Sequence, residues 1–454
     1  MGSAPVRVVI VGVGFAGMAV TVALLRGFPE QPVSIALVER SGSFGRGVAY
    51  STPDPQHLLN VPAGDMSAVT GQPSHLLEWT QRRGLDVTAA TYLPRRVYGD
   101  YLEEILASTA DGRVRREADE AVGLDGGDVV TRTGWRLEAD AVVLAVGISA
   151  PAGPSPMAAI EHHPGYVANP WDYDAVMSLA AGRRVLIVGT GLTMIDVALS
   201  LSAAGEGPEM LAISSHGELP RAHRPGASEP GEPAVRPGDY RTIAALAAQI
   251  GARARAAGDW RAVIDSLRPV TQQLWCELPL PEKQSFLEHY SRRWEVHRSR
   301  IAPEIAAQVG ALRTAGRLRV AAATVKDVAP AGARISVRLA GERLLVDGIV
   351  NASGPAWDCR RGDNALVREL LAAGLATPGP LGLGLGTTAD GALIDRDGRA
   401  SERLFTLGAL RRGELWETVA VPEIRDQATA LADRITAANR GARPLLMPDD
   451  RIGR

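Results

Sequence analysis

Two runs of branched apolar residues, VRVVIVG (6–12) and RRVLIVG (183–189), frame the chain. Uninterrupted β-branched runs of this length predict strands of a parallel sheet, buried on both faces. Each run turns through glycines into a stretch with apolar residues at helical spacing, MAVTVALLRG (18–27) and IDVALSLSAAG (195–205). Each is then followed by a second strand, VSIALVER (33–40) in the first case and EMLAIS (209–214) in the other. Strict alternation appears further on, at 113–147 and again at 317–354, as short strands joined by Gly/Asp turns. Both of these meanders close on an apolar strand and a small-residue turn, Ala145 to Gly147 and Ala352 to Gly354. The chain therefore reads as an internal duplication of one α/β module, each copy having a glycine loop, a meander and a closing turn.

The glycines say what the module is for. Gly12, Gly14 and Gly17 have G-x-G-x-x-G spacing between strand and helix. The first permits a tight turn, the second lets backbone approach a pyrophosphate, and the third lets helix and strand pack closely. The helix N-terminus then offers unpaired N–H groups to the phosphates. Glu39, at the end of the second strand, is spaced to accept ribose hydroxyls. In the second copy Gly189 and Gly191 are kept, and Met194 stands where the third glycine would be. Its second strand ends in Ser214, Ser215 and His216, with Arg221 and Arg224 beyond, and no carboxylate. Hydroxyls and arginines suit a 2′-phosphate, so Ser215 and Arg221 predict NADPH rather than NADH.

Between the second loop and its meander lies an insertion at about 225–310. It begins in the Pro/Gly-rich RPGASEPGEPAVRPGDY and continues as amphipathic stretches at 240–258, 260–275 and 282–309, each read as a helix. Arg292, Arg293, Arg298 and Arg300 crowd near Trp294, His289 and His297. Arginine forks suit carboxylate or phosphate, which makes Arg298 and Arg300 candidate substrate contacts. The scattered histidines offer no metal site.

Composition mostly excludes. Of 454 residues 46% are apolar and 22% charged, with net charge −2, so nothing marks a nucleic-acid surface. Cys276 and Cys359 stand far apart, which excludes a C-x-x-C redox pair and makes structural disulfides unexpected. No leader pattern and no run of ~20 apolar residues appears, so a cytoplasmic protein away from membranes is expected.

Several stretches are more specific: GRGVAYSTPDPQHLLNVPAGDMS (45–67), LPRRVYGDYL (93–102), GTGLTMIDVALSL (189–201), WEVHRSRIAPE (294–304), NASGP (351–355) and GALRRGELWETVAVPEIRDQA (408–428). With the duplicated loops they resemble a bacterial FAD-NAD(P)-binding protein family. Its layout is that of the two-dinucleotide-domain flavoproteins, including the N-hydroxylating monooxygenases. The resemblance implies two Rossmann-like, three-layer ββα domains, with the NADPH domain and its helical insertion (151–351) interrupting the FAD domain (1–150 and 352–454). It implies FAD at the first loop, with His57 and Asn60 beside the flavin. The segment holding Trp416 and Thr418 would be the last to touch FAD, and Pro422 would open a helix aimed at the flavin ring. An Asp common before this point is missing from LGALRRG.

The same resemblance leaves the reaction open. HHPGYVANPWDY (162–173) resembles the linker of class B flavin monooxygenases through Gly165, Tyr166 and Trp171, but the linker His is replaced around Asn169, against Baeyer–Villiger chemistry. The favoured expectation is an NADPH-consuming monooxygenase that N-hydroxylates a small amine or amino acid with molecular oxygen, through a C4a-hydroperoxyflavin. The alternative is a reductase passing hydride through FAD to another acceptor. A cofactor-binding regulator without turnover needs only one loop. No catalytic base is identified, and a homo-oligomer stays open.

Overall fold

The computed structural model describes residues 5–28, 33–205, 207–224 and 231–441. Among them the apolar runs form the predicted strands. The first sheet has spatial order β10-β11-β4-β1-β2-β3, from β1 (Val6–Val11), β2 (Val33–Val38), β3 (Val114–Glu117), β4 (Ala141–Leu144), β10 (Ala392–Ile394) and β11 (Ala400–Thr406). The second has order β8-β7-β6-β9-β5, from β5 (Tyr166–Val167), β6 (Arg184–Val188), β7 (Glu209–Ser214), β8 (Leu318–Ala322) and β9 (Gly348–Asn351). All pairings are parallel except β10 with β11. The first sheet thus draws strands from both sides of the second, so one α/β module is inserted into the other.

The duplication extends to single residues. Val11 pairs with Val38 and Leu144, and Val188 pairs with Ile213 and Asn351. Each sheet has a helix after its glycine loop, α1 (Phe15–Gly27) and α2 (Leu192–Ala203), and each has an antiparallel three-stranded meander, at 121–137 and 327–346. The helix Val421–Gly441 packs against α1, its Ile424, Ala428, Leu431 and Ile435 joining Val20, Leu24 and Phe28 in one core. It begins one residue before Pro422.

The insertion is more broken than its periodicity predicts. Residues 260–275 form two helices, Trp260–Ser266 and Thr271–Glu277, because Pro269 has no N–H and its ring excludes continuous helix. Residues 282–309 are shared by three helices, Leu280–His289, Ser291–Arg298 and Pro303–Thr314. Tyr290 leaves helical geometry at φ −122°, and Pro303 restarts the chain at a first-turn position. Part of the Pro/Gly-rich entry, 225–230, lies outside the described residues. Trp275, Phe286 and Leu278 of the insertion share a core with Trp416. Among the described residues no helix is long and apolar enough to cross a membrane, and no group of three or more His, Cys, Asp or Glu could hold a metal ion.

Candidate active site

The two glycine loops are built alike. Gly12 has φ +87° and donates its N–H to Val38 O at 2.9 Å; a Cβ there would stand 2.6 Å from Ala145 O. Gly189 has φ +125°, donates to Ile213 O at 2.7 Å, and a Cβ would collide with Ala352 O. Closing turn and glycine loop therefore touch backbone to backbone in both modules. Gly14 and Gly191 cap their helices in extended conformation, with no side-chain cap and no acid in the first turn. Uncapped N–H groups with the positive end of the helix dipole form an anion cradle. Beside Gly191 the space is open for 4 Å around the position of a Cβ.

The ends of the second strands differ. Glu39 accepts from Val13 N–H at 2.8 Å, and from the Ser41 N–H and hydroxyl at 3.0 and 2.8 Å. At the matching positions Ser214 Oγ lies 2.9 Å from Thr190 Oγ1. Arg292, arriving from the insertion, donates to Thr190 Oγ1 at 2.9 Å and to Glu218 O at 2.6 Å. Ser215 is exposed and lines the main cleft. Arg221 lines a separate, smaller cavity with Ile195 and Arg313, and its backbone is tied to Val296 and Ile301.

One cleft of about 1570 Å³ joins the modules. That exceeds the 300–1,000 Å³ usual for one small ligand, so it has room for parts of more than one. Its walls include Tyr50, Asn60 and Met66 from the first module, Gly189 to Thr193 and Ser214 from the second, and Trp416 to Val421. Thr418 is buried, donating to Gly408 O at 3.1 Å and accepting from Gln427 at 2.8 Å. Trp416 holds φ +58°, a conformation costing a bulky residue about 1–3 kcal/mol. The next residue, Glu417, is gripped by the insertion through Trp294 Nε1 at 3.0 Å and Arg298 Nε at 3.1 Å. Trp275 Nε1 donates to Gly413 O at 2.9 Å in the same region.

The remaining sequence-predicted residues divide. Asn60 is in the cleft, and its carbonyl accepts from His223 Nε2 at 2.9 Å. Burial, aided by Arg300, lowers the His223 pKa to about 4, so the imidazole is neutral with its proton on Nε2. His57 is away from the cleft walls. Its Nε2 meets Ser200 Oγ at 2.9 Å and Asp196 O at 3.1 Å, Ser200 donates to Asp54, and Arg95 pairs with Asp196 at 2.6 Å. That network joins the two modules. Arg298 and Arg300 both line the cleft, but each is paired, to Glu417 and to Asp265, and Arg300 is 4% exposed. Tyr166 pairs as an edge strand with β9, and a Cβ on Gly165 would meet Asp347 O at 2.5 Å, so this linker is packed as structure. Cys276 is exposed and Cys359 buried, each with a free thiol.

A family model described as FAD-NAD(P)-binding matches residues 9–149. No curated protein matches by sequence. Among solved structures, the ornithine hydroxylase of Pseudomonas aeruginosa is similar at 15% identity and TM-score 0.64, over 96% of this chain and 99% of that one. The ornithine N-hydroxylase of Kutzneria sp. 744, with reduced FAD, NADP+ and L-ornithine, has 17% identity and TM-score 0.61, over 96% and 100%. The bacillithiol disulfide reductase of Bacillus cereus has 15% identity and TM-score 0.52, over 96% and 100%. At these identities the likeness establishes the fold, that of two-dinucleotide-domain flavoproteins.

Proposed function

We propose that the chain is a flavin-dependent monooxygenase that consumes NADPH and N-hydroxylates a small amine or amino acid. The observation that carries this reading is the single cleft, which has Gly191 and Ser214 on one wall and Thr418 and Val421 on another. FAD would lie along the first loop and Glu39, which are not among the walls of this cleft, and would enter it at the Thr418–Val421 turn. NADPH would lie along Gly189, Gly191 and Ser215. Bound FAD supplies acceptance of hydride and activation of oxygen. The chain supplies the rest. Arg292 holds the Thr190–Ser214 hydroxyl pair where the first module has Glu39, and its guanidinium is the group for a 2′-phosphate. The Trp294 and Arg298 contacts hold the insertion on Glu417 and cover that end of the cleft, which limits water at the reacting atoms.

The fold likeness to N-hydroxylating enzymes supports this choice. A C-x-x-C redox pair is missing, since Cys276 is exposed, Cys359 is buried and the two are far apart in the sequence. The test is a coupling measurement. FAD-loaded enzyme is given NADPH, oxygen and a panel of diamines and amino acids, and NADPH use, hydroxylamine product and hydrogen peroxide are quantified together. The expected result is hydroxylamine formed at the expense of peroxide with at least one amine. Full conversion of NADPH to peroxide throughout the panel would favour the reductase.

A further inference from the structure

The cleft wall also has a cation whose carboxylate contact is long, far along the chain from the insertion. The Arg412 guanidinium carbon lies 3.8 Å from the ring centre of Trp357 and 4.1 Å from that of Trp416. The stack continues through Trp275, 5.0 Å from Trp416 at an interplanar angle of 29°, to Lys283 Nζ at 5.3 Å. Trp357 follows the closing turn of the second module, while Trp275 and Lys283 belong to the insertion. Three parts of the chain thus converge around one guanidinium.

Two indoles therefore flank the guanidinium. Its Nη2 is 3.4 Å from the partly exposed Glu295, and its Nε is buried with no partner. Burial lowers the pKa of Arg412, so its charge is expensive as it stands. Most other arginines of the cleft wall have closer carboxylates, although Arg300 Nε is likewise buried without a partner and Arg224 lies 3.5 Å from Asp259. Arg298 pairs with Glu417, Arg300 with Asp265, Arg268 with Glu423, and Arg95 with Asp196. Arg292 is engaged on Thr190 and Glu218 at the far loop. Arg412 lines the cleft, and its Nη1, which is not buried, has no hydrogen-bond partner among the described residues, so it can meet an acceptor from outside the chain.

We propose that Arg412, clamped between Trp357 and Trp416, is a subsite for a carboxylate of the small-molecule substrate. The assignment rests on the N-hydroxylation reading and narrows it to amines that also bear an acid. A carboxylate entering from the cleft can take an Nη1–H in a charge-assisted hydrogen bond, beside the long Nη2 contact with Glu295. A dinucleotide phosphate shares this chemistry, and the experiment separates the two sources.

The experiment reads binding without turnover. FAD-loaded enzyme with NADP+ is titrated with L-ornithine, L-lysine, L-glutamate, acetate and benzoate, and in parallel with putrescine and cadaverine. Tryptophan fluorescence reports on the stack, and flavin absorbance on FAD retention. At least one carboxylate should give a saturable change that the diamines do not, and Arg412→Gln should weaken it about 10-fold to 100-fold. FAD content and NADP+ affinity should be unchanged in that variant. If Arg412→Gln fails to fold, Trp357→Leu serves instead, and it should retain FAD while weakening the same carboxylate. No response to any carboxylate, an equal response to diamines, or a loss transferred to NADP+ or FAD overturns the proposal. Carboxylate binding at Arg412 without any hydroxylated product would defeat the functional reading and leave the subsite standing. Hydroxylation with unchanged affinity in Arg412→Gln would do the reverse.

Discussion

The two modules share backbone and differ in side chains. Gly12 and Gly189 donate to the same relative carbonyl, and their missing Cβ atoms abut the same relative closing turn. Yet Glu39 is answered by Ser214, Val13 by Thr190, and Gly17 by the fully buried Met194. A Cβ on Gly17 would collide with Gly12 O, so Met194 requires its helix to sit less tightly on the loop. The first-turn hydrogen bonds agree: Met18 N–H to Gly14 O is 3.0 Å, and Ile195 N–H to Gly191 O is 3.3 Å. The anion cradle therefore depends on the first two glycines and on an uncapped helix. On the proposed reading, choice between dinucleotides falls one strand away, to what would meet the ribose.

The largest effects should come from breaking the shared part. Gly12→Ala and Gly189→Ala each force a Cβ into backbone at a positive φ, costing their module on the order of 3 kcal/mol or more. Gly12→Ala should purify without flavin. Gly189→Ala should keep its yellow colour but lose anaerobic reduction by NADPH. If both variants lose flavin together, the modules are not separable sites.

The next comparison concerns what differs. Arg292→Ala should raise the Kd for NADP+ about 10-fold to 100-fold while leaving NAD+ nearly unchanged, as expected for a lost charged hydrogen bond. Arg221→Ala is the control, because that side chain lines another cavity, and its effect should stay within about 2-fold. Isothermal titration with both nucleotides checks each variant. The reverse ranking would return the phosphate contact to Arg221.

A smaller effect is expected at the junction of the modules. His223 is held neutral, its pKa lowered from 6.5 to about 4 by burial and Arg300. The unfolded chain takes up this proton first, so the histidine's stabilising contribution is complete above about 6.5 and is lost as pH falls towards 4. His223→Gln should flatten the fall in melting temperature across that window relative to wild type. Parallel curves would locate the acid sensitivity elsewhere.

Sequence was most informative where function is local. Strand, glycine turn and helix are contiguous, so both loops, Glu39 and the duplication could be read from spacing. Helix lengths in the insertion were overestimated because apolar periodicity continues through Pro269 and Tyr290, where backbone geometry does not. Partner choice was the least legible. Arg298 and Arg300 looked free in a cationic run, but Glu417 and Asp265 reach them from other segments. Nothing local marks Arg412, since its indole neighbour Trp357 lies 55 residues earlier in the sequence. His57 was assigned to the flavin on motif alone, and only tertiary structure reveals its contacts with Ser200 and Asp196.

The interleaved sheet order also has a consequence for synthesis of the chain on the ribosome. Every strand of the second sheet lies within residues 166–351, whereas the first sheet waits for β11 at 400–406 and its core waits for the helix at 421–441. Domains tend to fold as units in the order they emerge. Here the module that starts first is completed last. Its glycine loop emerges early, but the core supporting that loop remains open until Ile424, Leu431 and Ile435 arrive to cover α1. On the proposed reading flavin capture thereby waits for residues 421–441, and a chain stopped after Gly354 would present a completed second sheet beside an unfinished first.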